Sequence, residues 1–441
     1  MFSKLFGGGK KNEEQPAPAT DPVMVFGRYS DNNKTRQKVA RWTDADNLFK
    51  EKKYPEAITA FFDYLKDDAA NNVLEAPRPG GRNFTIHQGS KLVSVDISEH
   101  NITAEVSLAQ MPEPGVAVMR RLLDQNFNLY YSRYALDGDR LCMRFETDME
   151  TASPNKLYYS LRELATKADK QDDLLVQDFQ NLKSIDVAHI TELPAAEKEV
   201  RTKYIKKWIT ETLDMAATVD AEKFSGGISY LLLTLAYRID FLTVPEGSLL
   251  RELEAINSLY WANDNRAATE KNRDMMEAFR KIASKAPEEI YPCLFTAPST
   301  FSIVAPTQYK NIADSIQKAN ANAVWYRDNN YPAWAAKVVE YGLSWCQFSY
   351  SLPRPLTEMF TVFMRVNNPD FFKDLGFTTS FTDAGGLPIA AEVSTALRNI
   401  CAAWKDKYPK LEFNTEKVKY DSLVNFNFSF TEEAALLNFE S

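Results

Sequence analysis

Residues 128–149, NLYYSRYALDGDRLCMRFETDM, read as two β-strands folded back on a tight turn. Apolar and polar side chains alternate with the period of two expected of half-buried strands, and Asp137-Gly138 is a strong signal for a two-residue hairpin loop. With that turn, Tyr134 pairs with Leu141, Ser132 with Met143 and Tyr130 with Phe145, so Tyr130 and Tyr134 are expected on an inner, core-facing side. Tyr131, Arg133, Cys142, Arg144 and Glu146 then share the outer side. Tyrosine and arginine are enriched at the energetic centres of protein interfaces, which makes Tyr131, Arg133, Arg144 and Glu146 the candidate binding residues. The competing reading is a solvated face holding an Arg-Glu pair.

The flanking segments extend this hairpin into a domain. KLVSVDI alternates with Val93, Val95 and Ile97 on one face, and NITAEVSL does so with Ile102, Ala104, Val106 and Leu108. SEHN between them is a tight connection, and RNFTIHQGS ahead of them supplies another strand. EPGVAVMRRLLDQN is a short helix with Val116, Met119, Leu122 and Leu123 on its apolar side. After the hairpin comes a long helix, SPNKLYYSLRELATKADKQDDLLVQDFQNL, with Ser153 as N-cap and Pro154 at its first position. The order strand, strand, strand, helix, strand, strand, helix predicts an α+β fold over residues 80–183, a small antiparallel β-sheet with helices on one face.

LLDQNFNLYYSRYALDGDRLCMRFETDMETASPNKLYYSLRELATKAD resembles the domain shared by class I type III secretion chaperones and YbjN-like proteins. Asn126, Asp137, Gly138, Leu141, Leu164, Ala165 and Asp169 fit that family's pattern, while Met149 stands where its leucine-proline pair would be. The resemblance covers about a quarter of the chain. It implies a secretion-chaperone-like fold that binds a protein or peptide without chemistry.

Either side of this domain the composition changes. Residues 1–22 are expected to be a disordered tail, since after Phe6 they carry glycine, lysine, glutamate and proline with little that is apolar. Residues 35–75 read as a helical hairpin broken at KKYPEA, where Ala45, Leu48 and Phe49 face Ala57, Phe61 and Leu65. Tyr54, Ala57 and Phe61 have tetratricopeptide-like spacing, which Ala335, Val339 and Leu343 repeat far downstream; two such units do not make a solenoid. Residues 195–441 read as a large, mainly α-helical remainder, with PCLFTAPSTFSIVAP as an ordered loop. At its end, SLVNFNFSFT alternates Val424, Phe426, Phe428 and Phe430 and reads as a strand that can join the sheet.

A net charge of −8, with 52 basic and 60 acidic residues, argues against nucleic acid as a partner. Cys142, Cys293, Cys346 and Cys401 are widely spaced and form no CxxC pair, which suits free thiols in a reducing compartment. The apolar run ISYLLLTLAY stops at Arg238, too short to cross a bilayer, so no transmembrane segment and a cytoplasmic location are expected. His87, His100 and His189 lack metal-ligand spacing, although His87 and His100 can approach across neighbouring strands. GGGKK lacks the features of a phosphate loop, and no catalytic signature is present. No cofactor and no enzymatic activity are expected. The best-supported class is a non-enzymatic, chaperone-like adaptor with a protein or peptide partner. Its alternative is a helical scaffold in which the α+β domain completes the core. A homo-oligomer is compatible with either.

Overall fold

The computed structural model describes residues 21–67, 70–185 and 189–440, so the expectation of a disordered tail lies, for residues 1–20, outside the described residues. An irregular strap, residues 21–35, leads into a helical hairpin of α1 (Arg36–Lys50) and α2 (Tyr54–Leu65). Then come β1 (Val73–Arg78), β2 (Gly81–Gln88), β3 (Lys91–Ile97), β4 (Asn101–Gln110) and α3 (Val116–Asn126). The hairpin β5 (Arg133–Asp137) and β6 (Arg140–Asp148), the long α4 (Pro154–Asp178) and the short β7 (Lys183–Ser184) complete this half. The seven strands form an antiparallel sheet ordered β1-β2-β3-β4-β6-β5, with β7 added at the C-terminal end of β4.

The other half is helical. Here β8 (Thr191–Glu192) pairs with β9 (Phe295–Thr296) beside α5 (Ala195–Ala217), α6 (Ser225–Thr243), α7 (Gly247–Trp261), α8 (Ala268–Ser284) and α9 (Pro287–Ile290). The chain ends through α10 (Tyr309–Asp328), α11 (Pro332–Ser349), α12 (Arg354–Asn367), α13 (Pro369–Asp374), α14 (Ala390–Ala403) and α15 (Leu423–Ala434). The molecule is thus α+β with a large helical part.

Each half has its own core. Alternate residues of the strands, among them Phe84, Ile86, Val93, Val95, Val106, Met143 and Phe145, are buried against Leu157, Leu161, Leu164 and Ala168 of α4. Those four recur at helical spacing, which lays one stripe of α4 along the sheet. The helix starts where its sequence signals it, with the Ser153 hydroxyl accepting from Lys156 N–H and Pro154 in the first turn. Phe62 of α2 stacks on Phe84 with 3.8 Å between ring centroids and holds the helical hairpin on the same face. The helical half packs around a larger cluster from α5 to α15. Phe301, in the loop before α10, is the buried side chain that the helical half contributes to the sheet core.

Polar contacts bolt the halves together around this loop. Gln88 Oε1 accepts from Phe301 N–H at 2.9 Å, and Arg162 of α4 donates to the carbonyls of Ser302 and Val304. Asp31 of the strap accepts from Tyr158 Oη at 2.6 Å and from Ser302 Oγ at 2.5 Å.

Four expectations are corrected. SLVNFNFSFT is not a strand, because residues 423–434 form α15. Its alternation arises on a helix buried from more than one side: Phe426 and Phe430 enter the large core, while Phe428 packs beside Ala323, Ala335 and Val339. The sheet begins earlier than residue 80, with β1 as an edge strand where Pro77 has no ladder bond to lose on its open side. The hairpin loop is Gly138-Asp139, since Asp137 pairs with Arg140 and Tyr134 with Met143. Gly138 takes a positive φ of 63°, which favours it at the first loop position. This slip moves every pair by two residues and so keeps the faces. The tail boundary of 22 is also too late, because Asp21 accepts from the N–H groups of Thr378 and Thr379 and from Arg365.

Candidate binding surface

The outer face of the sheet is a polar ladder. Thr85, Ser94, Glu105, Arg144 and Arg133 lie opposite one another across β2, β3, β4, β6 and β5. Arg133 and Arg144 face each other directly, an arrangement that repels unless each has a counter-ion. Arg133 donates to Glu146 at 2.7 Å, and Arg144 Nε donates to Glu105 at 2.8 Å. Arg140 adds contacts to Glu105 and Asp137. The structure therefore brings Arg133, Arg144 and Glu146 together, already paired. Exposed pairs of this kind contribute about 0–1 kcal/mol each.

Tyr131 is elsewhere. β5 begins only at Arg133, because the loop before it turns toward α4: the Glu163 carboxylate accepts from the backbone N–H groups of Tyr130, Tyr131 and Ser132 and from the Ser132 hydroxyl. Burial acts to raise the Glu163 carboxyl, but these donors outweigh it and hold it below the ordinary range. Tyr130, expected in the core, is consequently 91% exposed, while Tyr134 is buried as expected.

This anchored loop sits in an apolar surface that the sequence reading missed. Val116 and Leu123, expected beside Leu122 on the apolar side of α3, lie seven residues apart on its outward stripe, and Phe127, the residue that caps the helix, continues that stripe at 90% exposed. Tyr130 and Tyr131 follow on the loop, exposed Leu136 lies on β5, and exposed Tyr159 lies one turn before Glu163 on α4. A surface this rich in exposed large side chains is a mark of an interaction site. The signal in the sequence was Leu123 and Phe127 flanking the buried Leu122, but Glu163 is 31 residues from Ser132 and meets the loop only in space.

The open edge of β5 is guarded. Asn126 Oδ1 accepts from Tyr134 N–H at 2.8 Å, which blocks a ladder position there. The other motif residues are equally structural: Leu141, Leu164 and Ala165 are fully buried, and Asp169 accepts from Ser90 N–H at 2.7 Å. His87 does not meet His100; its ring stacks on His189 with 5.5 Å between centroids. Among the described residues there is no cluster of three or more metal-binding side chains, and no helix is long and apolar enough to cross a membrane. No family model matches this chain, and no curated protein matches it. The likeness to secretion chaperones thus rests on the motif residues alone.

Proposed function

We propose that this protein is a non-enzymatic, chaperone-like adaptor that holds a protein or peptide segment on the apolar edge formed by α3, the 127–132 loop, β5 and the start of α4. The observation that carries this reading is Phe127 and Tyr130, each about nine-tenths exposed, the first at the cap of α3 and the second where Glu163 holds the loop backbone. Aromatic side chains held on an ordered backbone offer contact area at little entropic cost. Because Asn126 blocks the strand edge, the partner docks through side chains rather than by adding a strand. Its own apolar residues fill the spaces between Val116, Leu123, Phe127 and Tyr130. The outer ladder, saturated with internal ion pairs, contributes less than Tyr131 and its neighbours. The scaffold alternative is less well supported, since the sheet half has a core of its own. The cysteines are free thiols, which supports a reducing, cytoplasmic setting.

The test is affinity capture from extracts of the source cells with quantitative mass spectrometry. A near-stoichiometric partner is expected on the wild type and on Arg133→Ala, and is expected to be lost from the Phe127→Ser/Tyr130→Ser double variant. Equal recovery on the double variant would remove this surface from consideration. Recovery of nothing above background would favour the scaffold.

A further inference from the structure

A second feature lies in the helical half, remote from the sheet. A cavity of about 390 Å³ opens between α5, α6, α11 and α13, a size within the range of small-molecule sites. Its walls include Trp208, Phe371, Arg238 and Lys337. Glu340, wholly buried, is behind that wall rather than in it: it takes the Nε and Nη2 donors of Arg238 at 2.7 and 2.8 Å, with Lys337 Nζ at 3.4 Å.

Two cations thus share one buried carboxylate, and the cations are the groups that reach the cavity. Arg238 is 4% exposed, and its Nη1 makes no hydrogen bond to any described residue. A guanidinium has five N–H donors and no acceptor, so the unused ones call for an oxygen. At the rim, Lys207 of α5 lies 3.8 Å from Glu211 of α5 and 3.8 Å from Asp370 of α13, all three well exposed and screened by water. The cavity of about 280 Å³ at the seam of the two halves differs, because there Arg28 is matched by Asp240 and Lys170 by Glu254.

We propose that the cavity between α5, α6, α11 and α13 binds a small organic acid, its carboxylate on Arg238 and Lys337 and its apolar body against Trp208 and Phe371. The carboxylate gives Arg238 and Lys337 a second acceptor beside the one they share, and the aromatic wall shields the contact from water. Burial, and next the neighbouring Arg238, pull the Lys337 ammonium below the ordinary lysine range.

Benzoate is the probe, titrated calorimetrically into the full chain near neutral pH, with benzyl alcohol and inorganic phosphate as controls. Saturable benzoate binding is expected, with both controls at least roughly tenfold weaker. Lys337→Gln is expected to weaken benzoate by at least roughly tenfold, and Lys337→Arg to retain it. A thermal melt of Lys337→Gln that matches the wild type shows that the fold survives; if it does not match, retained affinity in Lys337→Arg and the preference for benzoate over both controls carry the test. Absence of saturable benzoate binding, or unchanged affinity in a folded Lys337→Gln, would overturn the proposal. Phosphate binding as tightly as benzoate would overturn the organic-acid assignment.

Discussion

The sheet half and the helical half bury apolar surface in opposite ways. Most strands and helices of the sheet half have one dry face and one wet face, as β3 shows with Val93, Val95 and Ile97 buried and Ser94 exposed. In the helical half, α6 is buried around nearly its whole circumference, and α11 and α15 are buried on several sides. Hydrophobic periodicity is a record of where water is, so it is sharp in the first half and blurred in the second.

The largest loss is expected at Phe430, fully buried among Phe363, Phe413 and Phe426. Phe430→Ala is expected to cost about 4 kcal/mol in urea unfolding, the scale of a large cavity in a packed core. A loss under about 1 kcal/mol would mean that α15 is peripheral. Next is Phe301, the side chain that crosses between the halves. Phe301→Ala is expected to cost about 3 kcal/mol. It should also separate the transitions seen by far-ultraviolet dichroism and by tryptophan fluorescence, since Trp42 is the tryptophan of the sheet half and six others lie beyond it. Coincident transitions with an unchanged midpoint would show that the halves do not depend on this residue.

The same contrast explains what was legible in the sequence. The strands from β2 to β6, the cap at Ser153 and the split between a sheet and a helical remainder follow from local patterns with one wet face. The C-terminal strand failed because alternating phenylalanines on a helix buried from several sides imitate a period of two. At the candidate site, Arg133, Arg144 and Glu146 were placed on the correct face because a two-residue slip preserves it. Tyr130 was misplaced because no local rule announces that a carboxylate on α4 will take three backbone donors and end the strand early.

A smaller effect tests where the helical half begins. Burial acts to raise the Asp21 carboxyl, but the Thr379 N–H, Arg365 and the Thr378 N–H outweigh it and hold it at about 2. A depressed carboxyl stabilises the fold fully above its unfolded value of 3.8, and the contribution disappears as pH falls through about 2. Asp21→Asn should therefore lower the melting temperature modestly at neutral pH, and the gap to the wild type should close as pH falls from 4 toward 2. A gap that stays constant over that range would show that the carboxylate's charge is not what matters.

The smallest expected effect on stability is also the one that separates a surface made for folding from one made for docking. Tyr134 on β5 and Tyr130 on the loop before it are four residues apart, yet Tyr134 is 8% exposed and Tyr130 is 91% exposed. Alanine at Tyr134 removes packed area and is expected to cost about 3 kcal/mol. Alanine at Tyr130 or Phe127 removes side chains that touch mostly water, so each is expected to stay within about 0.5 kcal/mol of the wild type. The Tyr130 backbone N–H still reaches Glu163 in the variant, so the loop keeps its shape and any loss of partner is a loss of contact. A cost above about 1 kcal/mol at Tyr130 or Phe127 would mean that these rings already have a partner within the chain. The apolar edge would then be part of the sheet core, and the contrast between the two tyrosines would disappear.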